Sequence, residues 1–371
     1  MKTRIALLLL FGLVTTGCGN NPDEIPRQLF NSNAIYVANE GSSSISAFQL
    51  VGPSGAGPVD GSPFRVNAPP TALGGNEPSD LSLLVASESG KTISMFSVDL
   101  KTSVLRGPLF TVTTPFTPKG VAAWRDFFYV ANAEGNVSAF RAPRGGAPTE
   151  VPGSPFPAGA GPVSLAAAEP GLLYVANSLS DDVSGFVLDA SGVPTPLPGS
   201  PFPAGDAPAW VDVQPPFFPN ALGGPTLVFV ANARSNSISV YSIATNGSLV
   251  PAPGSPFAAG AAPSSIGIGN ALPLKFVYVA NSQSNTISGY KIDPATGALT
   301  PLAGSPFPAG LNPVSVAVAI NRAFLYVANA GSNNLSVFQI DNNTGALTPV
   351  SGSPFKVGTR PRAVLFFQVA Q

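Results

Sequence analysis

The feature of this sequence that most constrains its fold is a unit of 45 to 55 residues that recurs seven times. Each copy opens on a short apolar block that reads YVAN in its cleanest form and continues to a block of the pattern aliphatic, Ser, any residue, aromatic. GSPF closes six copies, and GPLF closes the second. Self-similarity at such a period indicates a repeat architecture, in which every copy is one supersecondary unit. The first blocks end at Asn39, Ser87, Asn132, Asn177, Asn232, Asn281 and Asn329.

Each unit parses into four short strands, as the last copy shows. Its apolar runs are Pro313–Ile320, Phe324–Asn329, Leu335–Ile340 and Leu347–Val350, which we name strands A, B, C and D. They are rich in Val, Ile, Tyr and Phe and are bounded by Gly, Asn, Asp and Pro, the pattern of β-strands. No sustained helical period occurs beyond the N-terminal segment. The sequence therefore predicts an all-β fold, a seven-bladed β-propeller of four-stranded antiparallel blades.

The two ends of the repeat array complement each other. The first copy begins at strand B, Ile35–Asn39, with no strand A before it, and the chain ends with an unpartnered strand A at Thr359–Phe367. We therefore expect the C-terminal strand to complete the N-terminal blade and to close the ring. The propeller domain is predicted over residues 34–371.

The N-terminus carries the pattern of an export signal. A short positive start precedes the ten-residue apolar run Ile5–Val14, which is too short to span a bilayer. Cys18, the only cysteine, follows that run, so residues 1–17 resemble a bacterial lipoprotein signal peptide, with lipidation at Cys18 and a polar tether over 18–33. Thr15 departs from that pattern, and an ordinary secretory signal with an incidental cysteine is the alternative. Gly19, rather than Asp, follows the cysteine, and by the same resemblance favours the outer membrane.

Composition limits the partners of the chain. Charged residues make up 10% of it and the net charge is −1, so no electrostatic footprint for nucleic acid is present. Histidine, the commonest acid–base side chain near neutral pH, is absent. We expect a monomer of the cell envelope without cofactor or metal, held to the membrane through lipid on Cys18, with an envelope protein or glycan as a further partner.

The recurring blocks also resemble known repeats. They look like the YVTN family of propeller repeats, and the fuller pattern YVAN…ISVF.ID..TGALTP..GSPF is similar to the seven-bladed lactonase family, which includes 6-phosphogluconolactonase-like proteins. The resemblance runs from Ala34 to the C-terminus and implies the propeller fold and hydrolysis of a lactone. Because this chain has no histidine, a catalytic histidine of that family has no counterpart here. The matching blocks start at Tyr36, Tyr129, Tyr174, Phe229, Tyr278 and Tyr326.

Ligands of propellers usually meet the mouth of the central channel on the side of the D–A and B–C connections. Charged residues fall near the predicted D–A connections, and Arg362, Arg360 and Lys119 are candidate contacts for an anionic ligand, with Asp206 beside them. Trp210 on strand A could offer a stacking platform for a sugar. The alternatives are that charges collect where loops meet water and that the tryptophan fills the space between blades.

Two carboxyl groups are weaker catalytic candidates. Asp212 lies on the otherwise apolar strand AWVDV, where burial would raise its pKa, and Glu169 follows another strand A. A hydrogen-bonded structural aspartate is the alternative for Asp212. The motif DNN at Asp341 lacks the carboxylates and the terminal Glu of a calcium loop, so a hairpin turn is expected there.

Two functions from different classes follow. The first is a non-catalytic binding or scaffold module of the cell envelope, which rests on the missing histidine, the sparse charge and the export signal. The second is a hydrolase acting on a sugar lactone or related ester, which rests on the resemblance. An enzyme needs a carboxylate and a cation within reach of one substrate, whereas a scaffold needs only a continuous surface.

Overall fold

Seven antiparallel sheets, one for each repeat, build the part of the chain that the computed structural model describes. These residues are 33–49, 56–76, 82–143, 146–214, 225–269, 276–319 and 323–367. They belong to one unit, residues 31–371, and contain no helix long and apolar enough to cross a membrane. The signal segment, Cys18 and most of the tether lie outside the described residues, as does most of the long connection before strand B of blade 5. The predicted seven-bladed propeller is confirmed.

Strands A to D run from the axis of the ring outward, and blades are numbered in chain order from the N-terminal strand B. Strands A are Pro361–Phe367, Ala72–Asn76, Pro118–Trp124, Pro162–Ala168, Pro208–Val213, Pro263–Gly269 and Pro313–Ala319. Strands B are Ala34–Asn39, Ser82–Ser87, Phe127–Asn132, Leu172–Asn177, Leu227–Asn232, Phe276–Asn281 and Phe324–Asn329. Strands C are Ser44–Gln49, Thr92–Val98, Asn136–Arg141, Asp182–Leu188, Ser237–Ile243, Thr286–Ile292 and Asn334–Ile340.

The outermost strand D differs from the prediction, because in six blades it is split into two short pieces that pair with the same strand C. The Gly, Ser and Pro of GSPF lie between the pieces, and its Phe begins the second piece. The Ser hydroxyl occupies a ladder position, since Ser353 Oγ accepts the amide of Val337 at 2.9 Å. The proline therefore lies where no ladder bond is needed. The pieces are Gly57–Pro58 and Phe64–Arg65, Thr149–Glu150 and Phe156–Pro157, Pro194–Pro196 and Phe202–Pro203, Leu249–Pro251 and Phe257–Ala258, Leu299–Pro301 and Phe307–Pro308, and Leu347–Pro349 and Phe355–Lys356, while blade 2 has one strand, Leu105–Thr113.

Ring closure follows the prediction. The C-terminal strand Pro361–Phe367 pairs antiparallel with Ala34–Asn39, with Val364 opposite Val37. The amides of Glu40 and Gly41 extend this pairing to backbone carbonyls that precede the C-terminal strand. Blade 1 is therefore assembled from both ends of the repeat array.

Apolar clusters between neighbouring blades form the core, and the repeated Tyr of strand B contributes a directed bond to each of four junctions. These Tyr side chains are fully buried. Tyr278, for example, donates from its hydroxyl to the carbonyl of Gly345, in the C–D turn of the next blade, at 2.7 Å. Equivalent bonds start at Tyr36, Tyr129 and Tyr174. The repeated Tyr therefore stabilises the contact between neighbouring blades.

The repeated Asn closes the B–C turn through its side-chain amide. Asn177 donates from Nδ2 to Asp182 Oδ1 at 2.7 Å and to Ser184 Oγ at 2.9 Å, and the other five Asn residues bond in the same manner. The strand C serine that accepts this bond belongs to the same blade as the Asn. Serines on strand A bridge neighbouring blades, as when Ser315 Oγ accepts the amide of Val364 at 3.1 Å.

Candidate functional site

A bulge at the start of strand A brings charged side chains to one mouth of the channel. In blade 1, Pro361 and Ala363 pair with consecutive residues of strand B, so Arg362 is left out of the ladder. In blade 3, Lys119 is left out in the same way, between Pro118 and Gly120. Bulges re-aim side chains and often occur beside functional sites. The two cations therefore owe their position to a local break in pairing next to the B–C turns.

These cations meet two carboxylates that follow strand B. Glu40 Oε2 lies 3.2 Å from Arg360 Nη2 and 3.6 Å from Arg362 Nε. Glu88 joins the next pair, with Oε1 at 3.8 Å from Arg362 Nη2 and Oε2 at 2.6 Å from Lys119 Nζ. The five residues form one continuous chain of ion pairs across blades 1, 2 and 3, which we call the mouth cluster.

Exposure within the mouth cluster is uneven. The side chains of Glu40 and Glu88 are 24% and 26% exposed, whereas Arg362 is 41% and Arg360 is 65% exposed. Three cations face two carboxylates, so the cluster keeps an excess positive charge. A ligand that reaches it would meet the guanidinium groups first and the carboxylates behind them.

The sequence predicted the three cations of the mouth cluster but missed its two carboxylates. The sequence does contain a feature that marks these two carboxylates, because the residue directly after strand B is Glu only in blades 1 and 2. In the other five blades that residue is small, either Ala or Ser: Ala133, Ser178, Ala233, Ser282 and Ala330. A departure from the repeat that is confined to neighbouring blades is the kind of variation a local site produces.

Asp206 and Trp210 lie in blade 5, away from the mouth cluster. Asp206 is exposed in the D–A connection, and its amide donates to Ser235 Oγ at 3.1 Å. Trp210 packs against the apolar cluster that joins blades 5 and 6, next to residues such as Ile266. Its indole Nε1 is buried and finds no hydrogen-bond partner in the described part of the chain. The structure thus places this ring between blades, and its role in sugar binding stays a prediction.

Asp212 is half-buried in the middle of strand A of blade 5. Its Oδ1 accepts the amide of Val213 at 2.8 Å, and burial raises the pKa of its carboxyl to about 7. Three residues of strand, about 10 Å, separate its level from that of Lys119. At the same level the other strands A carry apolar residues or Gly: Leu365, Gly74, Ala122, Ala166, Gly267 and Ala317. A lone carboxyl therefore lies in an apolar section of the ring.

Glu169 lies at the other end of the strands, in the A–B turn of blade 4. Its carboxylate pairs with Arg125 Nη2 at 3.3 Å, and the Arg125 guanidinium lies 4.5 Å from the centroid of the Trp124 ring. Neither Glu169 nor Asp212 converges with the cations of the mouth cluster. The described residues contain no group of three or more His, Cys, Asp or Glu side chains placed to hold a metal ion.

Fold and site together define a seven-bladed β-propeller with a charged cluster at one mouth of its channel. The resemblance to the lactonase propellers is confirmed over residues 248–366, which match the family model described as "Lactonase, 7-bladed beta-propeller". No curated protein matches the sequence of this chain.

Several solved structures are similar over nearly the whole propeller. The periplasmic gluconolactonase of Pseudomonas aeruginosa is 19% identical, with a TM-score of 0.74, covering 91% of this chain and 99% of that one. A 6-phosphogluconolactonase candidate from Bacteroides uniformis is 20% identical, with a TM-score of 0.73 and the same coverage of both chains. Another from Bacteroides fragilis is 18% identical, with a TM-score of 0.73, covering 92% and 99%. At these identities the likeness shows the fold.

Proposed function

We propose that the protein is a lactone hydrolase whose reaction takes place at the mouth cluster. The observation that carries this proposal is convergence: Glu88 lies within ion-pair distance of both Arg362 and Lys119. A carboxylate and two cations at one partly exposed position meet the requirement that separates an enzyme from a scaffold. The match to the lactonase family supports the same function, and nothing in the comparisons favours the scaffold.

The residues divide between binding and proton transfer. Arg362, the more exposed of the two cations bonded to Glu88, would hold the carbonyl oxygen of the lactone. Glu88 would take a proton from water as the water oxygen adds to the carbonyl carbon, and Arg362 would stabilise the resulting oxyanion. When the intermediate collapses, the ring C–O bond breaks and the leaving alkoxide takes the proton back from Glu88. The product is the open hydroxy acid, and Glu88 returns to its starting state.

The test is hydrolysis of a panel of sugar lactones and simple lactones by the whole chain and by two variants. Glu88→Gln should lower kcat by about 100-fold, the usual size of a general-base contribution. Arg362→Ala should lower kcat/KM for every lactone that the native protein opens. Asp99→Asn and Arg106→Ala are matched controls, because these residues form another ion pair of blade 2, at 3.1 Å between its C–D turn and the start of strand D. No hydrolysis by the native protein, or equal losses in the controls, would refute the proposal.

We also propose that the protein works in the cell envelope, held by lipid on Cys18. The apolar run that ends just before the only cysteine supports this location. The full chain should fractionate with membranes, and Cys18→Ala should release it in soluble form. A Cys18→Ala protein that still pellets with membranes would speak against lipidation.

A further inference from the structure

A groove of about 380 Å³ lies where blade 7 meets blade 1. One wall is the end of strand D in blade 7, from Lys356 to Gly358, and the other comes from strands C and D of blade 1, with the apolar side chains of Phe48 and Pro63. Its volume falls in the range of small-molecule sites. None of the five residues of the mouth cluster lines it.

Two basic side chains flank this groove, one from each blade. Arg65 and Lys356 occupy the same place in the repeat, directly after the Phe of GSPF, and both are exposed. Neither lies within 4.0 Å of a carboxylate in the described ranges of the chain. In the other four GSPF blades this place holds an uncharged residue: Pro157, Pro203, Ala258 and Pro308. Two unpaired positive charges thus occur in neighbouring blades and line the same cavity.

The serine hydroxyls of the groove add hydrogen-bond donors. Ser62 Oγ accepts the amide of Ala47 at 2.9 Å, and Ser46 Oγ accepts Asn39 Nδ2 at 3.0 Å. Each hydroxyl can still donate its own proton. With Arg65 beside them, the polar side chains of the groove are mainly donors, and such a set suits a ligand rich in oxygen and negative charge.

We propose that this groove binds a phosphorylated monosaccharide. A phosphomonoester carries a charge of about −1.5 to −2 at pH 7, which matches the two cations, and its oxygens accept hydrogen bonds. The sugar hydroxyls would bond to the half-buried Ser62, and the apolar face of the sugar ring would pack against the exposed Pro63. The site is separate from the mouth cluster, so the failure of either proposal leaves the other standing.

Isothermal titration of the whole chain with glucose 6-phosphate tests the proposal, with glucose and inorganic phosphate as companion probes. The double variant Arg65→Ala/Lys356→Ala should weaken binding about 100-fold, about tenfold for each positive charge removed. The matched control is Arg141→Ala/Lys291→Ala, which removes the same two charges from exposed strand C positions in blades 3 and 6. This control should bind within about twofold of the native protein.

The outcomes are distinguishable. Loss of binding in the groove variant alone, with unchanged melting temperatures, supports the site. Absence of binding by the native protein, or equal affinity in the groove variant, overturns it, the second result placing the ligand elsewhere. If inorganic phosphate binds as tightly as glucose 6-phosphate, the sugar makes no contribution, and the assignment to a monosaccharide is wrong.

Discussion

Replacing Asp212 by Asn should remove most of the pH dependence of stability between pH 5 and 8. Burial raises the pKa of this carboxyl from 3.8 to about 7 in the folded protein. The folded state therefore holds this proton more tightly than the unfolded state does. The free energy of unfolding is highest where both states are protonated, falls as the pH rises from about 4 to about 7, and is level above that.

The size of the effect follows from the same two pKa values. One pKa unit corresponds to about 1.36 kcal/mol, so the difference between 3.8 and about 7 amounts to about 4 kcal/mol over the whole range. Water reaches part of the half-buried side chain, and this makes 4 kcal/mol an upper limit. Between pH 5 and 7 alone, the native protein should lose up to about 3 kcal/mol, and Asp212→Asn should lose little of that.

Because of the composition of the chain, few other groups change their protonation between pH 5 and 8. The sequence has no histidine, so no other side chain with an ordinary pKa titrates between pH 5 and 8. Hydrogen bonds lower the pKa of the turn carboxyls Asp99, Asp189 and Asp341, which stay ionised throughout. Urea unfolding at pH 5, 6, 7 and 8 is the assay, and Asp206→Asn, an exposed carboxyl of the same blade, is the control. Parallel pH profiles for the native protein and Asp212→Asn would refute the reasoning.

Three further substitutions test how the blades are held. Tyr278→Phe removes the hydroxyl that reaches Gly345 in the next blade and should cost about 1 kcal/mol, read as a lower urea midpoint at unchanged m-value. Ser315→Ala removes the acceptor of the Val364 amide, and hydrogen exchange at that amide should become about fivefold faster, as expected for loss of about 1 kcal/mol. Gly185→Ala places a Cβ 2.8 Å from an aromatic ring carbon, so calorimetry should show a loss of about 1 to 3 kcal/mol. An unchanged melting temperature in Gly185→Ala would mean that the neighbouring ring moves aside freely.

Much of the fold could be predicted because each strand recurs in every repeat. The closing strand is predictable at Thr359–Phe367 because the first copy lacks a strand A, and the structure places it at Pro361–Phe367. The split of strand D was missed, since the GSPF segment signals a turn and gives no sign that pairing resumes after it. The alternation of residues could not show whether the serine of strand C bonds within its blade or to the next one.

The candidate site was less accessible to sequence reasoning, because it depends on departures from the repeat. Arg362 and Lys119 were identified from their place near strand A, but the bulge that frees them from pairing has no separate signature. Glu88 belongs to blade 2, and its distance to Arg362 depends on the C-terminal strand joining blade 1. The sequence separation between the two residues gives no indication of this approach.

Because two distant segments close the ring, folding can be completed only when the C-terminal segment is present. The amide of Thr359 donates to Ser42 Oγ across 317 residues of chain. Until the C-terminal segment docks, strand B of blade 1 has an open edge, the kind of edge that pairs with other chains. A chain truncated before residue 361 would lack strand A of blade 1, so this edge of strand B would stay unpaired. Quality-control proteases could recognise the unpaired edge, which is covered in the complete ring.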